Sequence, residues 1–145
     1  MVTQRLASRR ALRADTRGQA LVEFALIVPL FLLLVFGVWE FGRAWQVYQT
    51  LTDAAREGGR AAVVANPNFT VDSVAAKINR NLGLAALDTA RAIKTVTNMH
   101  GGTGTQATVS ISYPYQLRWL QPFVGWTGAQ ASFNMNTSVV FRNEM

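Results

Sequence analysis

Between Phe24 and Trp39 the chain has twelve Leu, Ile, Phe or Val residues and no charged one, so whatever else it forms must accommodate a helix without a polar face. At roughly −0.3 to −0.6 kcal/mol each near a helix centre, these twelve residues favour membrane insertion by about −4 to −7 kcal/mol. Counted from Ala20 to Trp39, with Pro29 inside it, the segment has 20 residues. At about 1.5 Å per residue it reaches roughly 30 Å, the thickness of a bilayer's hydrocarbon core. Glu23 would cost about 2.5 to 3.5 kcal/mol at mid-bilayer, but it stands near the start of the run, where the head-group region lowers that cost. One transmembrane helix fits, and no second stretch qualifies.

Charge orients that helix. Arg5, Arg9, Arg10, Arg13 and Arg17 precede it against Asp15 alone, so the positive-inside rule keeps this leader in the cytoplasm and sends the remainder across the membrane. The leader holds +4 of the chain's net +6, which leaves residues 19–145 near +2 and removes the argument for a nucleic-acid partner. Zero cysteines exclude disulfides, Cys-x-x-Cys redox chemistry and thiolate metal sites. A single histidine, His100, argues against a histidine-based metal centre. No nucleophile–base pair is visible, so neither an enzyme nor a cofactor is expected. Gly101-Gly102-Thr103-Gly104 lacks the Lys-Ser/Thr ending of a phosphate loop and reads as a hairpin turn. Ordinary secretory signals are cut after their hydrophobic core; Gly18 stands before it, and a cut there calls for a different kind of peptidase.

Past the membrane the helix is expected to continue to about Ala65, stopped by Asn66-Pro67 and bent at Pro29. Phe41, Trp45, Tyr48, Ala55, Gly59 and Ala62 recur near a 3.6 period as one sticky face, opposite Arg43, Gln46, Thr50, Asp53, Glu57 and Arg60. Trp39, Trp45 and Tyr48 suit the outer interface. Phe41, Trp45, Tyr48, Asp53, Arg56, Glu57 and Arg60 are candidate subunit contacts, and Glu40 with Arg43 reads as a local i,i+3 pair. A short helix follows, with Thr70 as N-cap, Val71, Val74, Ala75, Ile78 and Leu82 as its apolar side, and an end near Gly83. Alternation predicts strands over 107–115 and 133–141 and, more weakly, within 91–99. Trp119, Phe123 and Trp126 are expected to fill the core, the alternative being an exposed adhesive patch. Asn68-Phe69-Thr70 and Asn136-Thr137-Ser138 fit the short glycosylation pattern.

The predicted fold is therefore α+β. A long N-terminal helix, half transmembrane and half amphipathic, packs on an antiparallel sheet of about three strands with one extra short helix. The expected divisions are a leader over 1–18, a membrane helix over 19–40, its amphipathic continuation over 41–65 and an extracytoplasmic domain over 66–145.

The run RGQALVEFALIVPLFLLLVFGVWEFGRAW, followed by TDAAREGGRAA and ending in SVVFRNEM, resembles the TadE-like minor pseudopilins of the tight-adherence (Tad, or Flp-type) pilus. The resemblance implies a pilin-like fold and cleavage by a prepilin peptidase between Gly18 and Gln19. It implies that Glu23 and Phe24 serve peptidase recognition and assembly, with Glu23 pairing with the α-amine of a neighbouring subunit as the helix leaves the bilayer. Phe24 stands where the major pilin of these systems carries Tyr, which favours a minor subunit. The implied partners are the prepilin peptidase, a second TadE- or TadF-like pseudopilin, the major Flp-type pilin, membrane lipid, and the inner-membrane platform with its ATPase. The implied role is initiation, capping or stabilisation of an adhesive pilus that supports biofilm formation. The alternative is a permanently membrane-anchored extracytoplasmic binding module.

Overall fold

The structure, a computed structural model, describes residues 16–63, 68–99, 101–102 and 104–143, with side chains of the first helix described from Gly18 onward. Most of the Arg-rich leader, the Asn66-Pro67 breaker and His100 lie outside the described residues.

The first helix, α1 (Thr16–Val63), is a single element of 48 residues, about 72 Å long at 1.5 Å per residue. It starts three residues before Gln19 and its described part ends two short of Ala65, within the usual scatter of helix boundaries. It passes through Pro29 unbroken, although proline removes one donor from the ladder there. The second helix, α2 (Val71–Leu84), begins in a capping box: Thr70 Oγ1 accepts from Ser73 N at 3.3 Å, and Ser73 Oγ accepts from Thr70 N at 3.4 Å. Its buried stripe is Val74, Ile78 and Leu82. Gly83 falls inside its last turn rather than closing it, and Val71 stays half-exposed.

Three antiparallel strands, β1 (Ile93–Thr97), β2 (Gln106–Gln116) and β3 (Ser132–Arg142), form one sheet in the order β1-β2-β3. In β2 the alternation is complete: Ala107, Val109, Ile111, Tyr113 and Tyr115 are all buried. Across from them on β3 stand Phe141, Val139, Thr137, Met135 and Phe133. Thr137 is the polar member of this face, and its hydroxyl lies 3.4 Å from that of Thr52 on α1. The edge strand β1 turns Lys94 inward, where its Nζ donates to Asn79 Oδ1 at 2.7 Å and to the Thr89 carbonyl at 2.9 Å. An inward charge of this kind discourages another chain from pairing with the edge.

The glycine-rich turn is a hairpin connection between β1 and β2. Gly104 has φ +88°, a conformation that favours glycine. Buried Asn143 closes the turn by donating to Thr105 Oγ1 at 2.8 Å and to the Asn98 carbonyl at 3.2 Å.

The core lies between the sheet, α2 and the C-terminal half of α1. Leu51, Val74, Ile78, Leu82, Val109 and Ile111 are its largest fully buried apolar side chains, each worth about 1.5 to 3 kcal/mol. Beside Leu51, α1 presents Ala54, Ala55, Gly58, Gly59, Ala61 and Ala62. Small residues are required there: a Cβ on Gly58 would stand 2.8 Å from Ile78, and one on Gly59 2.4 Å from the Phe141 ring.

Candidate functional site

The N-terminal half of α1 receives no cover from the rest of the chain. Every residue from Gln19 to Val35 except Val28 is exposed, and none of the helix's most apolar window is buried. Leu21, Leu26, Leu30 and Phe31 each expose 60% or more of their surface. An apolar surface of this length is the kind that marks contact with a membrane or with other apolar partners, and it is compatible with a single-pass membrane anchor. It is the one helix among the described residues long and apolar enough to cross a membrane.

Gly18 and Gln19 sit in the first turns of this helix, with Ala20 and Pro29 exposed along it. Glu23 lies one turn past Gln19, exposed, and Phe24 beside it is 66% exposed. Both point into whatever surrounds the helix. Trp39 is exposed at the far end of the apolar run.

The predicted sticky face divides in two. Ala55, Gly59 and Ala62 are buried under the sheet, but Phe41, Trp45 and Tyr48 are exposed, with the Trp45 and Tyr48 rings 6.3 Å apart. The seam that meets the domain at their level is instead Glu40, Ala44, Val47 and Leu51. Of the other candidate contacts, Asp53 and Arg56 form an exposed pair of 3.3 Å, Glu57 reaches Lys77 on α2 at 3.6 Å, and Arg60 is exposed.

Glu40 heads that seam and is fully buried. The Tyr115 hydroxyl donates to its Oε1 at 2.7 Å, and the Trp119 amide donates to Oε2 at 3.3 Å. Arg43 is therefore not its ion-pair partner: the two ion pairs among the described residues lie elsewhere, and the Arg43 guanidinium sits 5.8 Å from the centre of the Tyr115 ring. The carboxylate takes two donors from the domain because they are aimed at it from β2 and from the connection that follows. Just below, toward the membrane half, Phe36 stacks on Trp119 with centroids 6.1 Å apart and planes 6° from parallel, and meets Phe123 at 6.1 Å. The residues from Phe36 to Arg43 thus form a junction where the apolar helix becomes the domain's backbone.

Trp119, Phe123 and Trp126 do not fill the core. Phe123 is half-buried against Phe36, Trp119 is 50% exposed and Trp126 is 85% exposed. The core is closed without them by Tyr113, Tyr115 and Met135. The local alternation that located β2 ends at Gln116, and nothing in the irregular stretch beyond it fixes which way these rings face.

Burial, and next the bond donated to Glu40, push the Tyr115 hydroxyl from 10.0 up to about 12, with Arg43 acting in the opposite direction. The folded chain holds this proton more tightly than the unfolded one. Its stabilising contribution is therefore complete below pH 10 and disappears as pH rises from 10 to about 12. Denaturant unfolding of the full chain in micelles should show stability falling across that window by on the order of 2 kcal/mol. Tyr115→Phe should show a smaller fall over the same range; an identical fall would place the titration elsewhere.

Residues 18–60 match the family model described as TadE-like protein. The match takes in the glycine and glutamate of the first turns, the whole apolar run, the junction at Glu40 and nearly all of the domain-bearing half of α1; it does not include α2, the sheet or the terminal SVVFRNEM run. No curated protein and no solved structure matches the chain.

Proposed function

We propose that this chain, whose segment 18–60 is TadE-like, is a minor pseudopilin of a Tad/Flp-type pilus, processed by a prepilin peptidase between Gly18 and Gln19. The observation that carries this reading is one continuous helix with a bare apolar half and a domain built onto its other half. A bare apolar helix can exchange lipid neighbours for helix neighbours at little cost in apolar burial, because lipid tails are as apolar as the side chains that replace them. Such a helix suits a subunit that waits in the bilayer and then enters a filament. The domain, on the outer side by the charge of the leader, is carried along as a rigid head.

In this reading the second TadE- or TadF-like pseudopilin and the major pilin meet the exposed faces of α1, including Phe41, Trp45 and Tyr48. The platform and its ATPase act from the membrane and the cytoplasm. The same exposed half would equally serve a permanently anchored binding module, and processing separates the two.

The test is the intact mass of the chain recovered from membranes with and without a cognate prepilin peptidase, with the N-terminus placed by tandem mass spectra. A peptidase-dependent start at Gln19 is expected. A chain that keeps its leader in the presence of active peptidase overturns the proposal in favour of the anchored module. A start at Trp45, after Gly42-Arg43-Ala44, would make the apolar run a removable export signal.

A further inference from the structure

The connection between β2 and β3, residues 117–131, returns to the helix at the level of the membrane boundary. Phe36, three residues before the end of the apolar run, holds the Trp119 and Phe123 rings, and Glu40, one turn later, holds the Trp119 amide. With a rise of about 1.5 Å per residue, Phe36 lies about 5 Å below the end of the run at Trp39. Trp119 and Phe123, and with them the start of the connection, are thereby held beside the helix near the end of its apolar run by contacts within the chain itself. Its composition suits that place: it contains three aromatic residues, no acidic residue, and Arg118 as its single charge.

Part of its backbone is also paired from within. Leu117 N donates to the Ala131 carbonyl at 2.8 Å, and the Gln121 side chain bonds both the Ala129 carbonyl and the Ala131 amide. Groups paired in this way can enter the interface without giving up bonds to water. Within it Trp126 is 85% exposed and Trp119 50% exposed, while Trp39 on α1 is 65% exposed. Indole rings favour the head-group layer, where an apolar body and one N–H donor are both accommodated.

We propose that this connection is a second membrane contact: Trp126 and Trp119 seat in the outer head-group layer beside the emerging helix, so the domain stands on the lipid surface at a fixed tilt. The inference rests on the membrane placement of α1 in the function proposed above.

The test uses the full chain reconstituted in phosphatidylcholine–phosphatidylglycerol vesicles, with three of the four tryptophans replaced by phenylalanine so that only Trp126 emits. Shallow brominated lipids should quench its emission more than deeply brominated ones, and acrylamide should quench it less than it quenches free tryptophan. Emission untouched by brominated lipid and open to acrylamide overturns the proposal. So does protection from both quenchers that grows with protein density, which would assign the ring to a neighbouring subunit. The matching variant that keeps only Trp39 separates the two layers of argument: if Trp39 is quenched and Trp126 is not, only this inference fails, whereas loss of both signals removes the membrane placement itself. Should the triple replacement fold poorly, the absence of cysteine allows Trp126→Cys to be spin-labelled cleanly. The label should then collide more often with oxygen than with a water-soluble nickel chelate; the reverse order overturns the proposal.

Discussion

Glu40→Leu is expected to destabilise the full chain in micelles by about 2 to 5 kcal/mol and to open the 117–131 connection to protease. The leucine occupies similar space but accepts nothing. It leaves the Tyr115 hydroxyl and the Trp119 amide without the acceptor that now holds them at 2.7 and 3.3 Å. Each buried group left unsatisfied costs about 1 to 3 kcal/mol, and the two losses fall on the same junction. Glu40→Gln should cost less, because its amide oxygen can still accept from Tyr115 while its NH₂ group is set against the Trp119 amide. Tyr115→Phe alone removes one donor from a buried carboxylate, and combining it with Glu40→Leu should recover part of the summed loss, as expected of side chains in direct contact. Unfolding followed by near-ultraviolet circular dichroism measures the cycle. Wild-type stability in Glu40→Leu would show that the domain holds to the helix through the small-residue seam alone.

That junction is also where the sequence was hardest to read. The elements whose signals are local stand where they were predicted: the alternation of β2, the Thr70 cap of α2, the unbroken helix through Pro29. Glu40 belongs to a seam with Ala44, Val47 and Leu51 at proper helical spacing, but a carboxylate after Trp39 reads as the first polar residue outside a membrane. Its partners lie 75 and 79 residues away, so no periodicity reports them. The predicted sticky face is split for a related reason. Phe41, Trp45 and Tyr48 have the size expected of a core face, yet the close approach of sheet to helix selects alanine and glycine instead, and the large rings are left outside. The narrow strand β1 was legible as a strand but not in its facing, because Lys94 points inward only by virtue of Asn79 and the Thr89 carbonyl.

The largest functional effect is expected at the other end of the helix. Glu23 is the single charged side chain between Gly18 and Trp39, and it is exposed on a surface that must meet lipid or neighbouring helices. Complementing the positive end of its own helix would return only about 0.3 to 1 kcal/mol, to be set against what remains, once the head-group region has lowered it, of the roughly 2.5 to 3.5 kcal/mol that a carboxylate costs at mid-bilayer. A partner of opposite charge offsets the difference, and cleavage before Gln19 would create one: an α-amine one helical turn away, too near the start of its own helix to leave the bilayer surface but free to meet the Glu23 of an adjacent subunit. Glu23→Ala should therefore insert into the membrane at wild-type level, since the substitution removes a cost of insertion. It should lose incorporation into sheared filaments by about tenfold or more, the equivalent of about 1.4 kcal/mol or more per contact. Glu23→Gln should fail similarly, because its amide carries no charge, whereas Glu23→Asp should retain part of the incorporation with a shorter reach. Quantifying the chain in membranes and in sheared pili from the same cells reads both quantities. Normal incorporation of Glu23→Ala would reduce the residue to a dipole complement and leave the register between subunits to be set by the exposed apolar faces of α1.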